Sequence, residues 1–165
     1  MERFIVDAYN LLYADQELAE LAGTNLEAAR NKLLRQVALY ASRKAIKITM
    51  VFDGRAEIGP SQAGGSAAVK ILYSARPQSA DDLIIRIVEK DPEARGITVV
   101  SSDNQVAGRA RLAGASVLSS AEFISRLRKV KGTRESKEEK PDRLSEEEVK
   151  DWLATFGRGK DERQT

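Results

Sequence analysis

The 165-residue sequence contains no cysteine and no histidine. Without cysteine there are no disulfides, cysteine nucleophiles or thiolate metal sites, and without histidine there is no imidazole base and no nitrogen ligand of the kind zinc usually takes. Aromatic residues make up only 5% of the chain, and 27 Lys and Arg are nearly balanced by 25 Asp and Glu. If the protein is an enzyme, carboxylates and lysines must therefore carry the chemistry.

Long hydrophobic runs are also absent. The first apolar run, 4–6, is interrupted at once by Asp7, unlike a signal peptide, and no stretch approaches the roughly 20 apolar residues of a membrane span. At this length we expect one compact domain, for which 42% hydrophobic residues supply a core. The mixed charged fraction of 32% is typical of a soluble protein, so we expect a cytoplasmic location and no membrane partner.

Strand-like and helix-like segments alternate through the first 130 residues. β-branched and aromatic residues predict five strands, at 3–7, 46–53, 69–73, 97–100 and 116–118. Capping residues predict helices that begin at Thr24 with Glu27, at Ser79 with Asp82, at Asp103, and at Ser119 with Glu122, the last reaching about Lys129. The alternation predicts an α/β fold in which helices cover both faces of a mainly parallel sheet.

Two segments differ from this pattern. Residues 56–66 combine glycines and a proline with few apolar side chains, which is typical of a surface loop. Residues 131–165 are rich in charges of both signs, which indicates a linker followed by a short helix at about 145–156 that contains the only tryptophan. We therefore predict a folded domain at 1–130 followed by this charged tail.

Aspartates stand at or beside the predicted strand ends. In chain order they are Asp7 closing strand one, Asp53 closing strand two, Asp81 and Asp82 opening the helix after strand three, and Asp103 just after strand four. Because the carboxyl ends of parallel strands meet at one edge of a sheet, we expect these carboxylates to converge. Clustered carboxylates raise one another's pKa unless a cation compensates them, so the pattern predicts a divalent metal site. Oxygen ligands favour Mg²⁺ or Mn²⁺ over zinc.

Each acid also has a structural interpretation. Asp103 can cap a helix, Asp82 can complete a capping box, and Asp53 can form a turn before glycine. Asn10, one turn beyond Asp7, can bind a phosphate or orient a carboxylate, or simply form a turn. Asp7 is the hardest to explain structurally, because a carboxylate closing an apolar strand would be buried without an obvious partner.

Four motifs carry a resemblance to a known family. IVDAYNLL, VFDG, SADDLI and VVSSDNQV occur in the order and spacing of the NYN domains, part of the PIN-like nuclease superfamily, and the match resembles most the bacterial YacP-type proteins. The similarity covers about residues 3–130, and the closing segment SEEEVKDWLATFG is also similar to the C-terminal end of YacP-type chains. The resemblance implies a three-layer PIN-like α/β/α fold and a metal-dependent endoribonuclease, linked in YacP-type members to the cutting of mRNA on the ribosome.

The resemblance also implies roles for individual residues. By motif, Asp7, Asp81 and Asp103 correspond to the family's catalytic acids. The hypothesis that follows is hydrolysis of single-stranded RNA by water activated on Mg²⁺ or Mn²⁺ held by these three acids. Auxiliary roles fall to the other polar residues of the motifs, namely Asn10, Asp53 and Asp82.

Side chains near the same edge are candidates to contact RNA. Basic residues there can bind phosphates: Arg55, Lys70, Arg76, Arg109 and Arg111. For any single one of them, a solvated helix or strand face is the plainer interpretation. Tyr9 and Tyr13 can stack on an unpaired base, although Tyr9 can equally pack under the first helix.

Other functions fit the sequence less well. A phosphatase with an aspartyl nucleophile usually needs a second acid two residues further on, where this chain has Tyr9 after Asp7. A dinucleotide-binding domain needs a glycine-rich turn after strand one, where this chain has Ala8, Tyr9 and Asn10. A PIN-like module that binds RNA or ribosomes without cutting is the alternative, and loss of the acids would favour it.

Overall fold

A computed structural model describes residues 2–54 and 68–137, with the backbone alone from residue 131 onward. Its strands are β1 (Arg3–Asp7), β2 (Lys47–Phe52), β3 (Val69–Tyr73), β4 (Ile97–Val100) and β5 (Ser116–Leu118). Its α-helices are α1 (Ala8–Ala14), α2 (Gln16–Thr24), α3 (Leu26–Lys44), α4 (Ala80–Lys90), α5 (Asn104–Leu112) and α6 (Ser120–Lys137).

The strands form one parallel sheet in the order β3-β2-β1-β4-β5. The chain builds outward from β1 to β3 on one side and then returns to add β4 and β5 on the other. The strand order therefore reverses between β1 and β4, and the carboxyl edge at this point is where parallel α/β sheets bind ligands. The predicted three-layer α/β fold with a mainly parallel sheet is confirmed.

Two apolar cores hold the layers together, one on each face of the sheet. Phe4 and Val6 face the core shared with α1, α2, α3 and α6, whereas Ile5 faces the core shared with α4 and α5. Phe123 of α6 is fully buried in the first core, with its ring centroid 5.7 Å from that of Phe4. Burial on both faces explains why β1 is apolar at successive positions rather than at alternate ones.

The predicted strands agree closely with the structure. Four of the five have the predicted bounds, and β2 is one residue shorter at each end. Ile46 lies outside β2 because its N–H donates to the carbonyl of Ala41 at the end of α3. Asp53 lies outside because the last inter-strand bond runs from the N–H of Ser74 to the carbonyl of Phe52.

The helix predictions are confirmed in three places and wrong in one. The capping box of Ser79 and Asp82 opens α4, Asp103 caps α5, and the Oγ of Ser119 accepts the N–H of Glu122 at the start of α6. The capping pair of Thr24 and Glu27 is wrong. Thr24 is the last residue of α2, and α3 is capped by Asn25, whose Oδ1 accepts the N–H of Ala28 at 2.9 Å. Helices α1 and α2 were not predicted.

The end of the described chain differs from the predicted tail. Helix α6 continues to Lys137, so the prediction of a linker from residue 131 is wrong for 131–137. The predicted loop at 56–66 and the predicted helix at 145–156 fall outside the described residues. The division of the chain at residue 130 into a domain and a tail stays a prediction. Of the helices in 2–54 and 68–137, none combines the length and the apolarity needed to span a membrane.

Asp15 connects α1, α2 and α6, and its removal should destabilise the fold. Its buried Oδ1 accepts the N–H of Leu18 at 3.1 Å, which caps α2, and its Oδ2 accepts from the guanidinium of Arg128 at 3.3 Å. We expect Asp15→Ala to lower the free energy of unfolding by about 1 to 3 kcal/mol, measured by urea denaturation. Asp15→Asn keeps a capping oxygen and should lose less than half as much. Equal losses in the two variants would contradict the role of the cap.

Candidate active site

Asp7 is the most deeply buried acid at the carboxyl edge. It ends β1 and begins the turn into α1, and only 8% of its surface is exposed. The Oγ of Ser101 donates a hydrogen bond to Asp7 Oδ2 at 3.2 Å. Burial, followed by the negative charge of Asp81, raises the pKa of Asp7 to about 6, although the Ser101 hydrogen bond acts in the opposite direction. Asp7 therefore lies in a site that penalises its negative charge.

Asp81 and Asp103 meet Asp7 around one open cavity of about 580 Å³. Asp81 lies in the first turn of α4, and Asp103 lies at the start of α5. Burial raises the pKa of Asp81, and the charges of Asp103, Asp82 and Asp53 raise it further, against the opposing charge of Arg109. Three of the five acids predicted to converge thus line one cavity, and the negative charges around Asp81 raise its pKa in spite of Arg109.

Asp103 is a helix cap and a cavity residue at once. Its Oδ1 accepts the N–H groups of Gln105 at 2.8 Å and Val106 at 3.2 Å. Its own N–H donates to the Oγ of Ser101, the hydroxyl that donates to Asp7. Both capping bonds use Oδ1, so the interpretation of Asp103 as a helix cap is confirmed. The same residue also lines the acid cavity. Ser101 couples the position of Asp103 to that of Asp7.

Asn10 fixes the loops that follow β4 and β5. It lies inside α1, so its interpretation as a turn residue is wrong. Its Oδ1 accepts the N–H of Ser102 at 2.9 Å and the Oγ–H of Ser120 at 2.6 Å, and the Oγ of Ser102 accepts the N–H of Ser120. Ser101, Ser102 and Ser120 were missed as site residues. Their signal in the sequence is that they follow β4 and β5 at the edge where the acids were expected.

Asp53 and Asp82 do not line the acid cavity. The Oγ of Ser74 donates to Asp53 Oδ1 at 3.4 Å and accepts the N–H of Gly54 at 3.0 Å, which ties the end of β2 to the end of β3. Asp82 completes the capping box of α4 and lies 3.8 Å from the guanidinium of Arg109. The structural interpretation of Asp82 is confirmed. Asp53 acts on the acid cluster electrostatically, because its negative charge contributes to the raised pKa of Asp81.

Gly54 holds the end of β2 against β3, and the position tolerates no side chain. A Cβ at this position would lie 1.8 Å from the carbonyl oxygen of Ser74. We expect Gly54→Ala to lower the free energy of unfolding by about 2 kcal/mol or more, because the two strand ends must separate. The measurement is urea denaturation.

Gly108 provides a matched control for this substitution. It lies in α5, where an added Cβ would meet no atom within 4 Å, so Gly108→Ala should raise stability by about 0.5 to 1 kcal/mol. A Gly54→Ala protein as stable as the wild type would contradict the close contact with Ser74.

Of the five basic candidates, two line a cavity. Arg76 and Arg109 line a second open groove of about 730 Å³, which also contains Arg86 and Lys90, two cations that were not predicted. Lys70 and Arg111 line neither cavity, and Arg55 falls outside the described residues.

Both predicted stacking tyrosines line the acid cavity. Tyr13 is 55% exposed, so its ring is accessible from solvent. The ring of Tyr9 packs edge-on against Phe52 with centroids 5.1 Å apart, which agrees with its interpretation as a packed residue.

The acid cavity suits a divalent ion in its chemistry. In the part of the chain that is described, no three acids stand close enough to form a ready set of metal ligands. Mg²⁺ generally takes only one or two protein carboxylates and fills its other positions with water and substrate phosphate oxygens. Carboxylate oxygens around an open cavity, two of them on Asp7 and Asp81 with pKa values raised by burial and by neighbouring negative charge, fit such an ion.

Known proteins resemble this chain in sequence and in fold. A family model described as the YacP-like NYN domain matches residues 4–158. The chain is 29% identical over 104 residues to the Bacillus subtilis (strain 168) protein named uncharacterized protein YacP, and the match covers 62% of this chain and 61% of that protein. The matched region thus spans less than two thirds of the relative's length.

Two crystal structures share the fold. Rae1 (YacP) from Bacillus subtilis superposes with a TM-score of 0.71 at 24% identity, over 96% of each chain. A variant of that protein, with a tryptophan replaced by leucine, superposes with a TM-score of 0.70 at 25% identity, over 94% of this chain and 92% of the other.

Proposed function

Because this chain belongs to the YacP-like NYN domain family, within the PIN-like nuclease superfamily, we propose that it is a metal-dependent endoribonuclease that cuts single-stranded RNA. The observation that carries the proposal is the cavity lined by Asp7, Asp81 and Asp103, in which burial and mutual repulsion raise the pKa values of Asp7 and Asp81. A site that disfavours its own negative charge gains the most from binding a cation.

The three acids of the cavity would hold Mg²⁺ or Mn²⁺. When bound, such an ion orients the scissile phosphate and lowers the pKa of a water molecule so that it can attack. Asp7 accepts a hydrogen bond from the Ser101 hydroxyl, which fixes the direction of its carboxylate, and Asp103 is held by the two N–H groups that donate to its Oδ1. Asn10 keeps the β4 and β5 loops together beneath the cavity. The chain's own residues thus position the acids, and none of them needs to act as a nucleophile.

The physiological substrate in this proposal is mRNA, cut in the cytoplasm in association with the ribosome. This part rests on the resemblance to YacP-type proteins. Tyr13 offers an exposed ring at the mouth of the acid cavity, where an unpaired base can stack. Stacking on an exposed ring requires a base that is not enclosed in a duplex, which supports single-stranded RNA as the substrate.

A circular, unstructured RNA provides the sharpest test. Because it has no ends, only an endonuclease can convert it to a linear product. We expect the full-length protein to linearise it in Mg²⁺ or Mn²⁺ and to leave it intact in excess chelator. Cleavage that persists in chelator would contradict the metal requirement. An RNA that binds but stays circular in both ions would favour the non-catalytic binding module instead.

A further inference from the structure

We propose that the groove beside the acid cavity binds the phosphates of the RNA strand that flank the scissile one, with Arg86 and Lys90 as its principal phosphate contacts. The groove lies between α4, α5 and the segment that leads from β3 into α4, and its volume is about 730 Å³. The inference rests on the proposed function for its substrate, and it assigns a second site on the same strand.

The charge of the groove is the first support. Four cationic side chains line it against two acidic ones, Asp82 and Glu89. Asp82 already faces Arg109 at 3.8 Å. Across residues 2–54 and 68–130, the other three cations, Arg76, Arg86 and Lys90, have no carboxylate within ion-pair distance. The groove is therefore a concave surface with spare positive charge, which suits a polyanion.

The arrangement of charges along α4 is the second support. Its buried face is apolar, whereas its exposed residues are Asp82, Arg86, Glu89 and Lys90. Three of these, Asp82, Arg86 and Lys90, recur at intervals of four residues. Residues four apart lie on one side of a helix, about 6 Å apart along its axis. Asp81, one residue before this series, lines the acid cavity. A strand with its scissile phosphate at the acids would therefore place its next phosphates beside Arg86 and then Lys90.

Arg109 joins the two sites. It lines the groove, and its positive charge lowers the pKa of Asp81, in opposition to burial and the neighbouring acids. Its guanidinium lies 3.8 Å from Asp82, the capping-box acid that follows Asp81 in α4, so Arg109 lies near the boundary between the acid cavity and the groove. From the acid cavity to the groove, the side chains thus change from acidic to basic. The acids would take part in cleavage, and the basic residues would bind the flanking strand.

Equilibrium binding in chelator tests the groove without any cleavage. A fluorescent, unstructured 12-nucleotide RNA would be titrated with the full-length protein and with the Arg86→Gln/Lys90→Gln double variant over a range of salt concentrations. Each phosphate contact that is lost lowers the slope of log K against log[salt] by about 0.7 in magnitude, so the double variant should lose about 1.4 of this slope. Relative to 1 M salt, where the counterion contribution vanishes, this loss corresponds to about 25-fold in affinity at 0.1 M salt. Glutamine favours the helix, and a thermal melt checks that α4 is intact.

The control variant is Arg43→Gln/Lys44→Gln, which removes the same charge from the exposed last turn of α3, at the opposite edge of the sheet. It should bind as the wild type does. Unchanged binding by the groove variant, equal losses in both variants, or no binding by the wild type would overturn the proposal. If the groove variant alone loses affinity while the wild type fails to cut circular RNA in metal, the groove stands and the proposed nuclease function fails.

Discussion

The Asp7→Asn variant should be more stable than the wild type at pH 7 in chelator. Asp7 has a pKa of about 6 in the folded protein, above its ordinary value of 3.8, chiefly because burial penalises its charged form. A carboxyl with a raised pKa contributes stability below its unfolded pKa and loses that contribution as pH rises through the folded pKa. At pH 7 the wild type carries the full penalty, whereas the neutral amide carries none.

The size of the gain follows from the shift in pKa. Each pKa unit corresponds to about 1.4 kcal/mol, so a shift from 3.8 to about 6 sets an upper limit near 3 kcal/mol. We expect a measured gain of about 1 to 3 kcal/mol in urea denaturation, since the amide must also adapt to the Ser101 hydroxyl. The gain should shrink as the pH is lowered from 7 to 4, because both proteins are then neutral at this position.

Asp91→Asn is the opposing control. The Arg3 guanidinium, 2.6 Å away, and the N–H of Glu93 lower the pKa of Asp91, so its charge favours the folded state. The same substitution should therefore lower stability at pH 7 and have less effect near pH 3. If Asp7→Asn also destabilised the protein at pH 7, a charge-penalising environment around Asp7 would be ruled out.

Asp81→Asn should abolish the Mn²⁺-dependent stabilisation and slow cleavage strongly. A ligand that binds only the folded state stabilises it by about 2.7 kcal/mol at one hundred times its dissociation constant, so Mn²⁺ should raise the unfolding temperature of the wild type. Asp81 lines the cavity and its negative charge is repelled by that of Asp103, so a bound cation would reduce this repulsion. Without it we expect no Mn²⁺-dependent shift and a fall in kcat of about 100-fold or more.

Glu93→Gln is the matched control for this variant. Glu93 is exposed and precedes β4 at the opposite edge of the sheet, so removing its charge leaves the acid cavity unchanged. This variant should show the same Mn²⁺ shift and the same cleavage rate as the wild type. An Asp81→Asn protein that still cut RNA at the wild-type rate would exclude Asp81 from the reaction.

The strands and the main acids were predictable because their signals are local. A continuous apolar run such as 4–6 marks a buried parallel strand, and an aspartate directly after it, as Asp7 is, must lie at the carboxyl edge. The predicted cap of α3 lies one residue too early, because Thr24 and Asn25 are both good caps and only the hydrogen bond from the N–H of Ala28 to Asn25 decides between them. Helices α1 and α2 have 7 and 9 residues, so packing stabilises them more than their own sequence does.

The features that were missed depend on contacts between distant segments. Ser120 reaches Asn10 across 110 residues of chain, and no pattern around either residue signals that bond. Arg86 and Lys90 look like ordinary solvated positions of an amphipathic helix until α5 and the segment before α4 form the other walls of the groove. The sequence therefore predicts where the acids lie, whereas the hydrogen bonds around them and the neighbouring groove can be identified only from the folded structure.

Anomalous diffraction from crystals grown with Mn²⁺ tests the proposed metal site most directly. We expect an anomalous peak at the carboxyl edge within coordination distance of at least two of Asp7, Asp81 and Asp103, and we expect it to be lost in crystals of Asp7→Asn. Ordered carboxylates with no peak between them at millimolar Mn²⁺, or a peak only at other acids, would contradict a metal-dependent site at these residues.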